Sequence, residues 1–310
     1  MNILKPTKCI VLILGISLLM SCNSNSESNA NIDDDIQRSE DDITGMVDKD
    51  SMVLSYGLYD DKEIIIDTYI DAKYDDEYNL TFEMGQYYPN DLEFKLLVFE
   101  DYIQKDFYTD EETVSSVDYT VKSNGIEKID FKIYPDQQAN EVSILNIISP
   151  NIQLQDIDEE FGYDSNTAYP IRRAVSQEVN KKEFDQNVEV NNIDEVNFDS
   201  FLSRSEGEFE LINDADKGES LYLNLGNIYD RDVTYAVIAL LDWKQVPLNG
   251  KDVLFTKVDK DKTGVLEIEL PDDIDGNPSY QLIAFSYPYE IEEGNYDAAD
   301  VYPTQRIFLK

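Results

Sequence analysis

Histidine is absent from this chain of 310 residues, and lysine plus arginine number 25 against 65 aspartate plus glutamate. The first absence removes Ser-His-Asp and Cys-His catalysis, histidine-ligated zinc and the usual general base near neutral pH. The second leaves a formal net charge of −40. That balance argues against nucleic acid as a partner and against docking on anionic lipid headgroups, because both need basic patches. Neither Gly-x-Gly nor Ser-x-x-Lys occurs, so there is no dinucleotide or phosphate loop and no serine–lysine nucleophile. Cysteine is confined to Cys9 and Cys22. Paired-carboxylate chemistry of the glycosidase kind survives these exclusions. With 65 acids in the chain some pair falls at almost any spacing, so no catalytic residue is named and the chain is read as non-enzymatic.

The N-terminus holds the most specific pattern. Lys5 and Lys8 precede an apolar stretch from Ile10 to Met20, and Leu19-Met20-Ser21-Cys22 closes it. An apolar run of about a dozen residues is too short to cross a bilayer, which takes roughly 20, so it reads as a signal peptide. The four closing residues resemble the lipobox of bacterial lipoprotein precursors, with Met20 the less usual residue at its position. That resemblance implies a signal peptide over residues 1–21, cleavage before Cys22, and a diacylglycerol on the Cys22 sulfur with palmitate-type acyl chains. The mature chain is then anchored to the cell membrane on its extracytoplasmic face, with the lipid bilayer as its first partner. Two acyl chains hold durably where one is marginal, at about 0.8 kcal/mol per buried CH₂. An ordinary secretory signal with an unrelated Cys22 is the alternative. Cys9 leaves with the signal, so no disulfide is expected and stability must come from core burial.

From Asn23 to Asp42, within residues 22–47, the chain reads NSNSESNANIDDDIQRSEDD with hardly an apolar side chain. Such a stretch cannot offset its ordering entropy and is expected to be a disordered, acylated tether. Loss of the signal removes Lys5 and Lys8 but no acid, which makes the mature charge −42. The acids come mostly in pairs, such as Asp60-Asp61 and Asp272-Asp273, flanking apolar stretches.

The remainder is built twice. GQYYPNDLEFKLLVFEDYIQ from Gly85 parallels GNIYDRDVTYAVIALLDWKQ from Gly226 without a gap. Further matches follow in the same order: Gly125 with Gly264, Ile129 and Phe131 with Ile268 and Leu270, and Pro150 with Pro288. Tyr169-Pro170 with Arg173 then matches Tyr302-Pro303 with Arg306. Leu80-Thr81-Phe82 and Leu221-Tyr222-Leu223 alternate as half-buried strands do, while Leu92–Phe99 and Val233–Leu241 suit buried central strands. Asn249-Gly250 between apolar runs is a hairpin signal. The expected fold is all-β: two tandem antiparallel β-sandwich domains of immunoglobulin-like topology, arising from an internal duplication. The first sandwich spans 48–178 and the second 206–310. Residues 179–205 form a linker, with a helical turn around Asp194 to Leu202, or alternatively the first strand region of the second unit.

Two sets of residues are singled out as sites. Asp101-Tyr102 and Asp242-Trp243, each followed by a glutamine two residues on, recur where a long strand ends. They either line a sugar-binding surface or cap the core and hydrogen-bond turn backbone. Asp259-Lys260-Asp261-Lys262-Thr263-Gly264 begins like a calcium loop, but Leu270 stands where a bidentate glutamate belongs. Asp273 and Asp275, before Gly276, form a second, equally short candidate. Both pairs read as acidic hairpin turns, calcium is the one cofactor kept open, and otherwise no cofactor is expected.

Architecture and composition resemble two-domain immunoglobulin-like lipoproteins of low-GC Gram-positive bacteria, with a Gram-negative outer-membrane lipoprotein as the alternative setting. The resemblance implies a non-enzymatic binding or envelope-scaffold protein with an unidentified protein or glycan ligand. The alternatives are an envelope enzyme using paired carboxylates and a calcium-dependent surface module.

Overall fold

Each copy of the repeat folds into two mainly antiparallel sheets, and the four sheets stack in layers. The computed structural model describes residues 53–310 except 61–62, 73, 75, 111, 152–167, 177–186, 195–199 and 211. The signal peptide, Cys22 and the tether therefore lie outside the described residues. The main strands of the first copy are β1 (Leu54–Asp60), β2 (Tyr78–Gln86), β3 (Leu92–Glu100), β4 (Val117–Val121), β5 (Ile126–Ile133), β6 (Glu141–Ile148) and β7 (Ala168–Ala174). Those of the second are β8 (Ser200–Ser203), β9 (Ser220–Gly226), β10 (Val233–Leu241), β11 (Leu254–Val258), β12 (Thr263–Glu269), β13 (Ser279–Ser286), β14 (Val301–Pro303) and β15 (Ile307–Leu309).

The outer sheets are built on β1-β2-β5 and β8-β9-β12, the inner ones on β7-β6-β3-β4 and β11-β10-β13 with β14 and β15. In both copies the chain leaves the first strand of the outer sheet and pairs in parallel with the last strand of the inner sheet. Tyr69 does so with Ala174, and Asp214-Ala215 with Phe308-Leu309. This sheet exchange makes the topology immunoglobulin-like. Alternation along the outer strands sends Leu80, Phe82 and Met84, or Leu221, Leu223 and Leu225, into the core of their own sandwich. The inner strands β3, β6, β10 and β13 are apolar on both faces because both faces are covered. Phe94, Leu96 and Val98 point into the first core, whereas Leu97 and Phe99 join Leu145, Ile147, Ile238, Ile283 and Phe285 in a third apolar layer between the repeats.

Strand register corrects three details of the sequence alignment. Gly85 opposes Ile126 and Gly226 opposes Thr263, so Gly125 corresponds to Lys262, and Gly264 to Glu127. Likewise Phe131 corresponds to Ile268, each opposite the matching leucine of its neighbour strand, Leu80 or Leu221. At the last strand, Arg173 opposes Val142 and Ile307 opposes Tyr280. The second copy carries one extra residue between Pro303 and Ile307, and Arg306 is therefore the counterpart of Arg172, not of Arg173.

Part of the region 179–205 belongs to the second sandwich. Asn187-Val188 adds in parallel to β11, and Asn191–Ile193 adds antiparallel to β12. Residues 195–199 lie outside the described residues. Ser200–Ser203, for which the sequence left open a helical turn around Asp194 to Leu202 or a first strand, is the strand β8 beside β9. Its apolar Phe201 and Leu202 gain burial there that an isolated turn would not give them.

Candidate functional site

The repeated Asp-aromatic pairs make the two-residue turns after β3 and β10. Asp101 and Tyr102 take φ of 48° and 68°, and Asp242 and Trp243 take 44° and 67°. Two successive left-handed residues are the type I′ hairpin geometry, tolerable for aspartate and uncommon for a bulky aromatic. Something beyond the turn must hold Tyr102 and Trp243 there. The aspartates provide half of it: Asp101 Oδ1 accepts the N–H groups of Asn140 and Glu141, and Asp242 Oδ1 that of Ser279, tying each turn to the start of β6 or β13. The rings provide the rest. Tyr102 is 1 % exposed and Trp243 8 %, both within the layer between the repeats, so neither lines an open sugar-binding surface.

The glutamines close the seam. The Gln104 amide N–H donates to Gln245 Oε1 at 2.5 Å, and the Gln245 N–H donates to Gln104 Oε1 at 2.7 Å. Their Nε2 groups are exchanged as well, Gln104 donating to the Trp243 carbonyl and Gln245 to the Tyr102 carbonyl, both at 3.0 Å. This pairing is the local signature of a pseudo-two-fold axis. A recess of about 310 Å³ opens beside the pair, lined by Asp106, Ser115, Lys244 and Asp252 among others.

A charged cluster lies within the same layer. Arg172 and Glu141 are each 1 % exposed. Arg172 Nε donates to Glu141 Oε1 at 2.7 Å and Nη2 to Oε2 at 3.2 Å, the Tyr102 hydroxyl donates to Glu141 Oε2 at 2.5 Å, and Ser143 donates to Oε1 at 2.9 Å. Burial pulls the Arg172 pKa down, but the Glu141 carboxylate and Tyr102 outweigh it and leave it above its ordinary value. Burial, reinforced by the adjacent Glu141 charge, pushes the Tyr102 hydroxyl well up. Arg172 Nη1 then crosses to the second repeat, donating to the carbonyls of Ser286 at 2.7 Å and Asp300 at 3.2 Å. Its counterpart Arg306 crosses the other way, donating to the Ser149 carbonyl at 2.9 Å, with its guanidinium 4.5 Å above the Trp243 ring. Glu141 has no acidic counterpart, since Ser279 stands in its place, and burial pulls the Arg306 pKa down to about 10.

Outside this layer, Glu100 and Asp136 form a carboxylate pair bridged by Lys105. The Asp136 N–H donates to Glu100 Oε2 at 3.1 Å, and Lys105 Nζ lies 3.6 Å from Glu100 and 2.6 Å from Asp136. Burial pushes Glu100 up to about 7, whereas the Lys105 hydrogen bond holds Asp136 below the usual carboxylate range.

The calcium candidates are hairpin and loop residues. Asp261 (φ 57°) is the counterpart of Asn124 (φ 53°) in the turn between the fourth and fifth strands of each copy. The backbone of that turn is held from below by a repeated acid: Asp91 Oδ1 accepts Ser123 N–H and Asp232 Oδ1 accepts Lys260 N–H. Lys262 pairs with Asp194. In the Asp273–Gly276 loop, Lys217 Nζ already occupies the Ile274 carbonyl at 3.0 Å. Among the described residues no group of three or more aspartates, glutamates or cysteines is arranged to hold a metal ion. Cys22 lies outside the described residues.

Sequence reasoning missed Gln86 and Asn227, which occupy one repeat position and do the same work. Each side chain donates to the carbonyl that ends the fourth strand of its copy, Val121 or Val258, and accepts the N–H two residues on, from Tyr88 or Tyr229. The exchange of glutamine for asparagine one step after the paired glycines was the available signal. Arg172 left none, because its counterpart is displaced by one residue.

No protein-family model matches the chain, and no curated protein matches it. Among solved structures, red sea bream transglutaminase aligns over 87 % of this chain at 8 % identity, with a TM-score of 0.24. The aligned part covers 32 % of that protein. Among the described residues no helix is long and apolar enough to cross a membrane.

Proposed function

We propose that this chain is a lipid-anchored extracytoplasmic protein, tethered through acylated Cys22, whose fused sandwiches serve as a non-enzymatic binding or scaffold module of the cell envelope. The observation that supports the module reading is the buried layer between the repeats. Both inner sheets are consumed by each other, and the side chains at their seam are already hydrogen-bonded to the opposite repeat. A ligand or partner is then met by outer sheets and loop ends on a rigid frame, the arrangement of a display protein rather than of a water-excluding cleft. The lipobox residues Leu19-Met20-Ser21-Cys22 support the anchor.

Two measurements test the reading. Cys22→Ala should abolish fatty-acid labelling and move the protein out of the detergent phase; unchanged partition would overturn the anchor. Photocrosslinking in intact cells from outer-loop positions should give a discrete adduct, whereas turnover of an envelope glycan by the purified ectodomain would replace the module with an enzyme.

A further inference from the structure

The loop from Tyr287 to Asp300 joins β13 to β14 and is held by hydrogen bonds from both repeats. Arg172 of the other repeat donates to the carbonyls of Ser286 and Asp300, which bracket the loop at its two ends. The Tyr289 N–H donates to the Tyr102 hydroxyl at 3.1 Å, again across the repeats. From its own side the loop is stitched to the segment between β9 and β10. Tyr229 Oη reaches Asp300 Oδ2 at 3.2 Å and the Asp297 carbonyl at 3.3 Å. Arg231 donates to Asn295 Oδ1 at 2.9 Å with its guanidinium 4.1 Å above the Tyr287 ring. Inside the loop, Asn295 donates to the Glu290 carbonyl at 2.9 Å.

This frame holds out an aromatic. Tyr296 is 83 % exposed, and Ile228, on the neighbouring segment that carries Tyr229, is 52 % exposed. Residues 287–300 contain Glu290, Glu292, Glu293, Asp297 and Asp300 and no lysine or arginine. Asp297 lies 3.8 Å from Arg231, and Asp300 accepts from Tyr229 and Tyr302, so the exposed Glu292 and Glu293 are the charges the loop offers outward. A buried ion pair is a poor source of net stability, so the fully enclosed Arg172–Glu141 pair calls for another role. Bracketing this loop is one. A pre-ordered loop loses little conformational entropy on binding, and a rigid exposed tyrosine is the kind of side chain that anchors interfaces.

We infer that the Tyr287–Asp300 loop, together with exposed Ile228 on the segment that Tyr229 and Arg231 bond to it, is a recognition surface for a basic protein or peptide segment that carries an apolar anchor. Tyr296 and Ile228 receive the anchor, and the surrounding carboxylates attract the lysines or arginines and exclude acidic competitors. The inference rests on the binding-module reading and names its surface and partner chemistry.

The test uses the ectodomain and two synthetic peptides of equal positive charge, one of lysine and leucine, one of lysine and serine. At about 0.15 M salt, where the Debye length is roughly 8 Å, the lysine–leucine peptide should bind more tightly. Its amide shift changes should be confined to residues 227–232 and 287–300. Tyr296→Ser should weaken that peptide about tenfold and leave the lysine–serine peptide unchanged. Glu292→Lys with Glu293→Lys should weaken both. Equal binding of the two peptides, or shift changes scattered over the acidic surface, would overturn the inference. Site-specific binding of the lysine–leucine peptide elsewhere would overturn it too, while leaving the binding-module reading in place. Glycan turnover by the ectodomain would overturn that reading instead.

Discussion

Gln104 and Gln245 each accept the other's backbone N–H through the side-chain carbonyl, although 141 residues separate them. In a symmetric homodimer such reciprocity is imposed by the axis, because one patch meets its own copy. Here the two copies share one chain, and the same self-complementary contact has become internal. It explains why the strained Asp-aromatic turns persist in both repeats: the turn aims its glutamine at the other repeat, and the aromatic ring fills the layer behind it.

The Arg172–Glu141 pair should be far more costly to break than to replace. Glu141→Gln leaves the guanidinium without its counter-charge in a site closed to water, and the expected loss is about 3–5 kcal/mol. Combining Glu141→Leu with Arg172→Met should recover most of that loss. Urea melts of the three variants check this; a double variant no more stable than Glu141→Gln would mean that the charges themselves support the layer.

Stability should rise as pH falls from 8 to about 5.5, and Glu100 should be the cause. Its folded pKa is raised to about 7 from an ordinary 4.5, so the folded chain binds a proton that the unfolded chain releases. The contribution is complete below about 4.5 and lost as pH rises through 7. Over that window it amounts to about 2 kcal/mol. Asp136 is shifted the other way and acts only at more acidic pH, where its stabilising ion pair is lost. Denaturation midpoints of wild type and Glu100→Gln should converge toward acid, where the protonated carboxyl and the amide are alike, and diverge toward alkaline pH, where only wild type buries a charge; parallel curves would remove Glu100 from the account.

Separated repeats should fold but not stay apart. Fragments of residues 48–178 and 187–310 each keep their own sandwich core. Each also exposes the face bearing Leu97, Phe99 and Leu145, or Ile238, Ile283 and Phe285, and a contiguous apolar patch of this kind is rarely left in water. Sedimentation should show self-association of each fragment and a one-to-one complex on mixing. Two inert monomers would contradict the burial argument.

Sodium or potassium chloride should raise the melting temperature of the ectodomain. Like charges lie closer in the folded chain than in the unfolded one, and the Debye length shrinks from roughly 8 Å at 0.15 M to 3 Å at 1 M. Calcium should do no more than its ionic strength if Asp259, Asp261, Asp273 and Asp275 serve only as turn residues. A saturable rise at sub-millimolar calcium would establish a cation site there.

By itself the sequence determined most of what depends on local periodicity and on pairwise repetition, although not the exact counterparts of Gly125, Phe131 and Arg173. The alternation around Leu80 and Leu221, the apolar runs Leu92–Phe99 and Val233–Leu241, and the Asn249-Gly250 turn, with φ of 48° and 75°, were all legible. Strand pattern and turn chemistry act over a few residues, and a duplication states them twice. The tertiary structure alone decided which apolar residues serve which layer. Leu96 and Leu97 are adjacent and chemically equal, yet one faces its own sandwich and the other the opposite repeat. It also decided the role of the Asp-aromatic turns, whose glutamines find partners in the other repeat, and the true counterpart of Arg306, hidden by a single inserted residue. Contacts between residues more than a hundred positions apart follow from how sheets stack, and no local pattern encodes that.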